Sequence, residues 1–200
     1  MAVAFVALSL AGAAVERTVF GMAAVFWLLV APLWLARGMS VDRRDGLLLA
    51  GFIVVLPAAL AMTWLDAQRL LVVLVLVWVA DSAAYFVGRA WGRHKLAPAI
   101  SPGKTWEGAA GGMAGALVYA IICKRFFDDV GWAAYLAAAA LLALLSIVGD
   151  LFESAAKRRA GVKDSGALLP GHGGMLDRID SATAVLPLAA LLMALMKGPA

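Results

Sequence analysis

Four aspartates have the residue type and position to do chemistry, because they stand in or at the ends of apolar runs: Asp81, Asp150, Asp177 and Asp180. An ionised carboxylate near hydrocarbon is costly, so each should face a polar cavity, pair with a cation or bind a metal. Any one of them could simply pair with an arginine between two helices, but four together favour a functional site. Carboxylate oxygens suit magnesium, which keeps several waters and meets substrate phosphates. The acids therefore predict phosphate chemistry with one or two Mg²⁺ ions.

The spacing of the acids predicts that they lie on three helices. Asp150 follows Ser146 by four residues and precedes Glu153 by three, which puts these side chains on one helical face. Asp81 lies near the end of another apolar run, and the remaining two acids stand three residues apart where the last run begins. Three helix ends could thus bring the carboxylates into one pocket.

Basic side chains near these acids could hold a polyphosphate. They are Lys104, Lys157, Arg158, Lys163, His172 and Arg178. The glycines around His172, at 171, 173 and 174, would let backbone N–H groups approach an anion without a side chain in the way. Each element alone is weak, since a basic loop usually sets topology and a glycine-rich turn usually only turns the chain.

Several other kinds of site are excluded. Gly103-Lys104-Thr105 is like the end of a P-loop, but the full pattern needs glycine at position 98, where this chain has Pro98. The single Cys123 excludes an intrachain disulfide, and no Cys/His set has zinc spacing. The formal charge of +4 is explained by loop topology, so no nucleic-acid partner is expected.

The elements that must position these residues are membrane helices. Of the 200 residues, 64% are hydrophobic and 15% charged, and the mean hydropathy is +0.92, far more apolar than a soluble domain. Six apolar runs come close to the ~20 residues that cross a bilayer, with a short or partial helix at 1–14 as a seventh. They are 18–36, 46–64, 69–87, 106–123, 132–151 and 181–196. Since open strands cannot satisfy their backbone in lipid, we expect an all-α, polytopic membrane bundle in one domain, 1–200.

The distribution of basic residues predicts the topology. The loops 37–45, 88–105 and 153–180 alternate along the chain and hold twelve of the seventeen Lys and Arg residues. The positive-inside rule places these loops, which carry the catalytic groups, in the cytoplasm. We therefore expect a multi-pass protein of the inner (plasma) membrane with its active site facing the cytoplasm.

Two small-residue patterns, Gly108-x-x-x-Gly112 and Gly111-x-x-x-Gly115, permit close helix contact. We favour packing inside one subunit over the alternative, a homodimer seam.

The longest polar stretch reads Ser154-x-x-Lys157-Arg158-x-x-x-x-Lys163-Asp164-x-Gly166-x-x-Leu169-Pro170-x-His172-Gly173-Gly174-Met175-x-Asp177-Arg178-Ile179-Asp180. This pattern resembles the signature of phosphatidate cytidylyltransferases, also called CDP-diacylglycerol synthases. The similarity extends upstream through three further motifs. They are Asp81-Ser-Ala-Ala-Tyr85-Phe-Val-Gly88-Arg89 with His94-Lys95-Leu96-Ala97-Pro98, Ser101-Pro102-Gly103-Lys104-Thr105-Trp106-Glu107-Gly108, and Gly149-Asp150-Leu151-x-Glu153-Ser154. One departure is Ala156, where the family usually has a larger apolar residue.

The motifs lie within residues 69–200, the predicted catalytic part, whereas residues 1–68 match in hydrophobic character only. The resemblance implies more N-terminal membrane helices than this chain holds, which predicts either a short family member or a chain without its natural start.

The resemblance implies the reaction of CTP with phosphatidate, a membrane lipid, to give CDP-diacylglycerol and pyrophosphate. Under it we assign Asp150 and Asp177 as primary metal ligands, with Asp180 and Asp81 as weaker candidates that could instead orient a basic side chain. The residues assigned catalytic roles are Asp150, Asp177, Lys157, Arg158, Lys163, Asp164 and His172. Binding of the substrates falls to Ser101, Lys104, Gly173, Gly174 and Arg178. The division of the basic residues between CTP and the lipid headgroup stays open.

Two alternatives share some of these features. A CTP-dependent kinase of polyprenol-type lipids would need the same nucleotide and metal, with a base for its hydroxyl nucleophile. An ion-coupled transporter could also carry intramembrane acids, although it would not need the dense Lys/Arg/His/Gly cluster.

Overall fold

The computed structural model describes most of the chain. The described residues are 2–9, 12–38, 44–127, 130–162, 165–166, 174 and 176–196, with backbone only at 3, 7, 13, 44–49 and 178. The helices are α1 Ala2–Ser9, α2 Ala13–Val25, α3 Ala31–Ala36, α4 Arg44–Trp64, α5 Ala67–Trp91, α6 Trp106–Cys123, α7 Trp132–Arg159 and α8 Leu176–Met196. A π-helical segment, Phe26–Val30, joins α2 to α3, and a 3₁₀ turn, Lys124–Phe126, follows α6.

Within the described ranges, five helical segments are long and apolar enough to cross a membrane. They are Ala14–Ala36, Ala67–Trp91, Trp106–Phe126, Trp132–Arg159 and Ile179–Met196. The apolar segment Ala50–Trp64 of α4 is shorter. The protein is an all-α, polytopic membrane bundle, which confirms the predicted fold class.

Helix α7 is longer than the apolar run that predicted it. The run ends at residue 151, but the helix continues for two more turns to Arg159. These turns bury Phe152 and Ala155, so they retain an apolar face. Lys157 and Arg158, which the loop count places after the membrane span, therefore lie on the last turns of α7, where cations complement the helix dipole.

Helix α8 is the most buried helix of the bundle. Ala184, Val185 and Leu186 are at most 2% exposed, and the helix packs against α2, α4, α5 and α7. Helix α8 begins at Leu176, five residues before the predicted span, so Asp177 and Asp180 both lie in its first two turns. Asp177 and Asp180 therefore lie at the end of the bundle where α7 also ends.

A short antiparallel hairpin between α5 and α6 was not anticipated. Strand β1, Lys95–Ala97, pairs with β2, Ser101–Thr105, in a register that sets Lys95 opposite Thr105. Two contacts hold its base: the Trp106 N–H donates to the His94 carbonyl at 3.0 Å, and the Glu107 carboxylate lies 2.6 Å from His94 Nδ1. Proline and glycine in β2 are poor strand formers, which is why composition gave no signal. The hairpin lies outside the apolar spans.

Helices α5 and α6 pack through the glycines of α6. A Cβ at Gly108 would lie 2.8 Å from the Ala84 carbonyl oxygen, and one at Gly112 would lie 2.8 Å from that of Ala80. Only glycine permits this approach of the two backbones. The contacts confirm packing inside one subunit for these glycines, and they do not bear on a homodimer.

Gly112→Ala should destabilise the protein, because the new methyl group meets the backbone of α5 and the two helices must separate. Overpacking of this kind costs about 1–3 kcal/mol. We expect the midpoint of thermal unfolding in detergent to fall by about 3 °C or more. The matched control is Gly51→Ala in α4, where a Cβ meets nothing within 4 Å and unfolding should be unchanged or later. Equal midpoints for the two variants would contradict the close approach of α5 and α6.

Candidate active site

A cavity of about 390 Å³ lies among α5, α6, α7 and the hairpin. Its size falls within the range of small-molecule sites, about 300–1,000 Å³. Its polar lining is Asp81, Tyr85, Arg89, Ser101, Lys104, Thr105 and Asp150, and the rest is mainly alanine and glycine. Small residues keep this space open between tightly packed helices.

The hairpin brings Lys104 to the end of α7. The Lys104 ammonium forms an ion pair with Oδ2 of Asp150, and the Ser154 hydroxyl donates to Oδ1 of the same carboxylate at 3.3 Å. On α5, Oδ1 of Asp81 accepts a hydrogen bond from the Ser146 hydroxyl at 3.1 Å. Two predicted acids and one predicted lysine therefore meet in one cavity.

Asp180 on α8 belongs to the same charged group. The Asp150 carboxylate repels those of Asp81 and Asp180, and Lys104 attracts both. In the described part of the chain, three carboxylates thus share one directly paired cation, which leaves negative charge for a further cation to neutralise.

The donor chemistry of this group fits magnesium. The three acids supply the hard oxygen ligands that Mg²⁺ prefers, and they come from three different helices. Among the described residues, no three carboxylate, histidine or cysteine side chains are close enough to form a finished metal cage. Magnesium does not require one, because it usually binds one or two carboxylates and completes its shell with waters and substrate phosphates.

Asp177 forms a second group, which organises the start of α8. Its Oδ1 accepts from Lys157 Nζ at 2.7 Å, and its Oδ2 accepts from the Ser165 N–H at 2.9 Å and the Gly174 N–H at 2.6 Å. Desolvation raises the pKa of this carboxyl, but these donors lower it more, and the net pKa lies well below its usual range. Asp177 thus accepts from one ammonium and two backbone N–H groups, so a cation would compete with donors from three residues.

Glu153 is a member of this second group to which the sequence assigned no role. It is 6% exposed, and Lys157 Nζ lies 2.5 Å from its Oε2, so one ammonium joins Glu153 on α7 to Asp177 on α8. The i,i+4 spacing of Glu153 and Lys157 was the available signal. What the spacing could not show is that the glutamate is buried and the lysine shared.

The remaining predicted residues divide into three sets. Ser101 lines the cavity, and Gly174 is buried with its N–H on Asp177. Arg158 is exposed on α7 and does not line the cavity. Lys163, Asp164, His172 and Gly173 lie outside the described residues, as does the side chain of Arg178.

Comparison with known proteins identifies the family. The model of the cytidylyltransferase family matches residues 1–196. The chain belongs to this family. The match includes residues 1–68, which lie before the first of the sequence motifs.

Curated relatives in three bacteria are phosphatidate cytidylyltransferases. The one from Pseudomonas aeruginosa is 45% identical over 185 residues, covering 86% of this chain and 67% of the relative. That from Haemophilus influenzae is 52% identical over 59% of this chain and 43% of the relative. That from Thermotoga maritima is 42% identical over 66% of this chain and 51% of the relative. The matched part of this chain thus spans between 43% and 67% of the length of these relatives.

Asp177→Asn should loosen the backbone around it, because a neutral amide accepts more weakly than a carboxylate. We expect the amide protons of Ser165 and Gly174 to exchange at least about tenfold faster, measured by hydrogen exchange and NMR. As a control, Asp66→Asn should affect only the Arg69 amide, whose N–H donates to Asp66 at 2.9 Å.

The pH dependence in the wild-type protein follows from the same lowered pKa of Asp177. A lowered carboxyl pKa gives stabilisation that is complete above the unfolded-state pKa near 3.8 and is lost as the pH falls through the folded-state value. After correction for intrinsic exchange, protection of both amides should stay constant from pH 8 to about pH 4. A loss of protection already near pH 6 would contradict the assigned hydrogen bonds.

Proposed function

We propose that this chain transfers a cytidylyl group from CTP to phosphatidate, giving CDP-diacylglycerol and pyrophosphate. The observation that carries the proposal is the cavity in which Asp81, Asp150 and Lys104 meet at the ends of membrane-spanning helices. Membership of the cytidylyltransferase family and the similarity to bacterial phosphatidate cytidylyltransferases support the same reaction.

The reaction requires control of charge more than a strong base. The phosphate monoester of phosphatidate has its second pKa near ~6 and is already largely dianionic at neutral pH. It can therefore attack the α-phosphorus of CTP directly, and the bond from that phosphorus to the pyrophosphate oxygen breaks. The main obstacle is repulsion between two anions, which the site must neutralise while holding them in line.

Lys104 is the cavity residue best placed for this task. Its ammonium is paired with Asp150, so the charge is held in position and shielded. An incoming phosphate can replace the carboxylate as its partner, which leaves Asp150 available to a cation. The pair thus links nucleotide binding to cation binding.

The cation we propose is Mg²⁺, held by Asp150 with either Asp81 or Asp180 as a second carboxylate, and otherwise by waters and substrate phosphates. When bound, it would supply positive charge to the reacting phosphates and the leaving pyrophosphate. A primary ligand role for Asp177 stays a prediction from the sequence, since its oxygens hold Lys157, Ser165 and Gly174.

We also propose that the protein lies in the bacterial inner membrane with this cavity on the cytoplasmic side. The support is the concentration of lysine and arginine in the loops at that end of the bundle. CTP is a cytoplasmic solute, whereas phosphatidate keeps its acyl chains in the bilayer. A cavity at the ends of membrane helices is within reach of both substrates.

Purified protein in detergent with CTP, phosphatidate and Mg²⁺ should release pyrophosphate and form CDP-lipid. Asp150→Asn should lower kcat at least about 100-fold with the fold retained, because charge stabilisation in the cavity is lost. Asp66→Asn, at the start of α5, is the matched control and should turn over normally. Release of CDP with a phosphorylated alcohol would instead support the lipid kinase. Ion flux without CTP turnover would support the transporter.

Binding of Mn²⁺, followed by electron paramagnetic resonance in the presence of CTP, tests the cation site directly. Asp150→Asn should weaken Mn²⁺ binding at least about tenfold, because a charged ligand is removed. Asp177→Asn is the informative comparison, since its carboxylate already has protein donors and its loss should change Mn²⁺ affinity less. A larger loss in Asp177→Asn would favour the ligand set predicted from the sequence.

A further inference from the structure

Arg89 is a basic residue of the cavity to which the sequence assigned no chemistry. It lies on the last turn of α5, and its Nη1 donates to the Tyr85 hydroxyl at 2.8 Å. Both side chains line the cavity that contains Asp81, Asp150 and Lys104. Arg89 therefore belongs to the site by position, although neither Tyr85 nor Arg89 was among the predicted site residues.

The charge of Arg89 differs from that of the two described lysines of the site. Lys104 is paired with Asp150, and Lys157 with Glu153 and Asp177. Among the described residues, the guanidinium of Arg89 contacts the neutral phenol group of Tyr85 and not a carboxylate. A guanidinium with a neutral neighbour keeps its full charge and its paired N–H donors for a phosphate.

The surroundings of Arg89 indicate which phosphate it meets. Tyr85 is 58% exposed although it lines the cavity, so the cavity reaches the molecular surface at this point. The surface there is aromatic: Phe86 is 67% exposed, and its ring centroid lies 5.5 Å from that of Tyr85. Exposed aromatic residues at the end of a membrane helix are typical of the headgroup level of a bilayer.

We infer that Arg89, oriented by Tyr85, binds the phosphate monoester of phosphatidate where the lipid enters the cavity from the side. This inference rests on the proposed function and assigns one of the two anionic substrates to one residue. The acyl chains stay against Phe86 in the bilayer, while Arg89 holds the headgroup phosphate on the side of the cavity that leads to Asp150 and Lys104. CTP then occupies the part of the cavity that the hairpin covers.

The residue assignment is tested by the separate Michaelis constants for the two substrates. Arg89→Gln should raise KM for phosphatidate, varied as its mole fraction in mixed micelles, at least about tenfold, because a charge-assisted hydrogen bond is lost. KM for CTP should change less than about twofold, since the inference gives Arg89 no contact with the nucleotide. Arg89→Lys should fall between, because it keeps the charge and loses the paired donors.

Two further variants control this measurement. Arg93→Gln removes an exposed arginine four residues away that does not line the cavity, and both constants should stay at the wild-type values. Tyr85→Phe removes only the hydroxyl that orients Arg89 and should raise KM for phosphatidate about two- to fivefold. A rise in KM for CTP in Arg89→Gln, or no change in either constant, would overturn the inference.

A binding measurement without catalysis separates this inference from the proposed reaction. Radiolabelled phosphatidate in detergent micelles should be retained by the immobilised wild-type protein and displaced by unlabelled phosphatidate, but not by equimolar inorganic phosphate. Retention by wild type and its loss in Arg89→Gln would support the inference even if no turnover occurs, in which case only the reaction fails. Equal retention by both proteins, or displacement by inorganic phosphate alone, would overturn it. No retention by wild type would overturn both proposals.

Discussion

The cost of holding carboxylates at the ends of membrane helices is the constraint on which this site depends. Asp81, Asp150 and Asp180 come from three helices, and in the described residues the ammonium of Lys104 is their directly paired cation. Charge of one sign near hydrocarbon must be paired, solvated or neutralised by an ion. The cavity provides the polar space, and the remaining charge makes the site suited to a cation and to phosphates that bring their own cation.

The rest of the structure keeps these groups in position. The glycine contacts of α5 and α6 fix the wall that carries Asp81, and the His94 and Glu107 contacts fix the base of the hairpin that carries Lys104. On the other side, Lys157 joins the ends of α7 and α8. The packing of α5 against α6, the contacts at the base of the hairpin and the ammonium shared by α7 and α8 are three different kinds of interaction. Each sets the position of a charged group at the same end of the bundle.

The two groups of acids differ in their hydrogen-bond partners, which indicates different roles for Asp177 and Asp150. Asp177 accepts from Lys157 and holds the backbone N–H groups of Ser165 and of Gly174, the last of the glycines around His172 in the signature. Asp150 has a lysine that a phosphate can replace and a serine hydroxyl at 3.3 Å. A carboxylate that accepts from two backbone N–H groups holds a segment of the chain in place. A carboxylate paired with a lysine side chain is better suited to ligand binding, because a ligand can compete for that lysine.

Much of this protein could be predicted from its sequence. Apolar runs of membrane-spanning length fixed the fold class, because a backbone in lipid must satisfy its own hydrogen bonds. The four aspartates in or at the ends of the apolar runs indicated a functional site, because a membrane span does not require them. The sequence motifs indicated the family. The hairpin was missed because Pro102 and Gly103 are poor strand formers. The last two turns of α7 were missed because the apolar run ends at residue 151 and charged residues follow from Glu153 onward.

The sequence by itself thus determined the class of protein, its family and the residue types of its site. Only the tertiary structure decided which acids and cations pair between different elements: Lys104 of the hairpin with Asp150 on α7, and Lys157 on α7 with Asp177 on α8. It also decided that Arg89 lies in the cavity beside a neutral phenol. The physical reason is that charge pairing depends on distances between separate helices, and residue spacing along one helix carries no information about its neighbours.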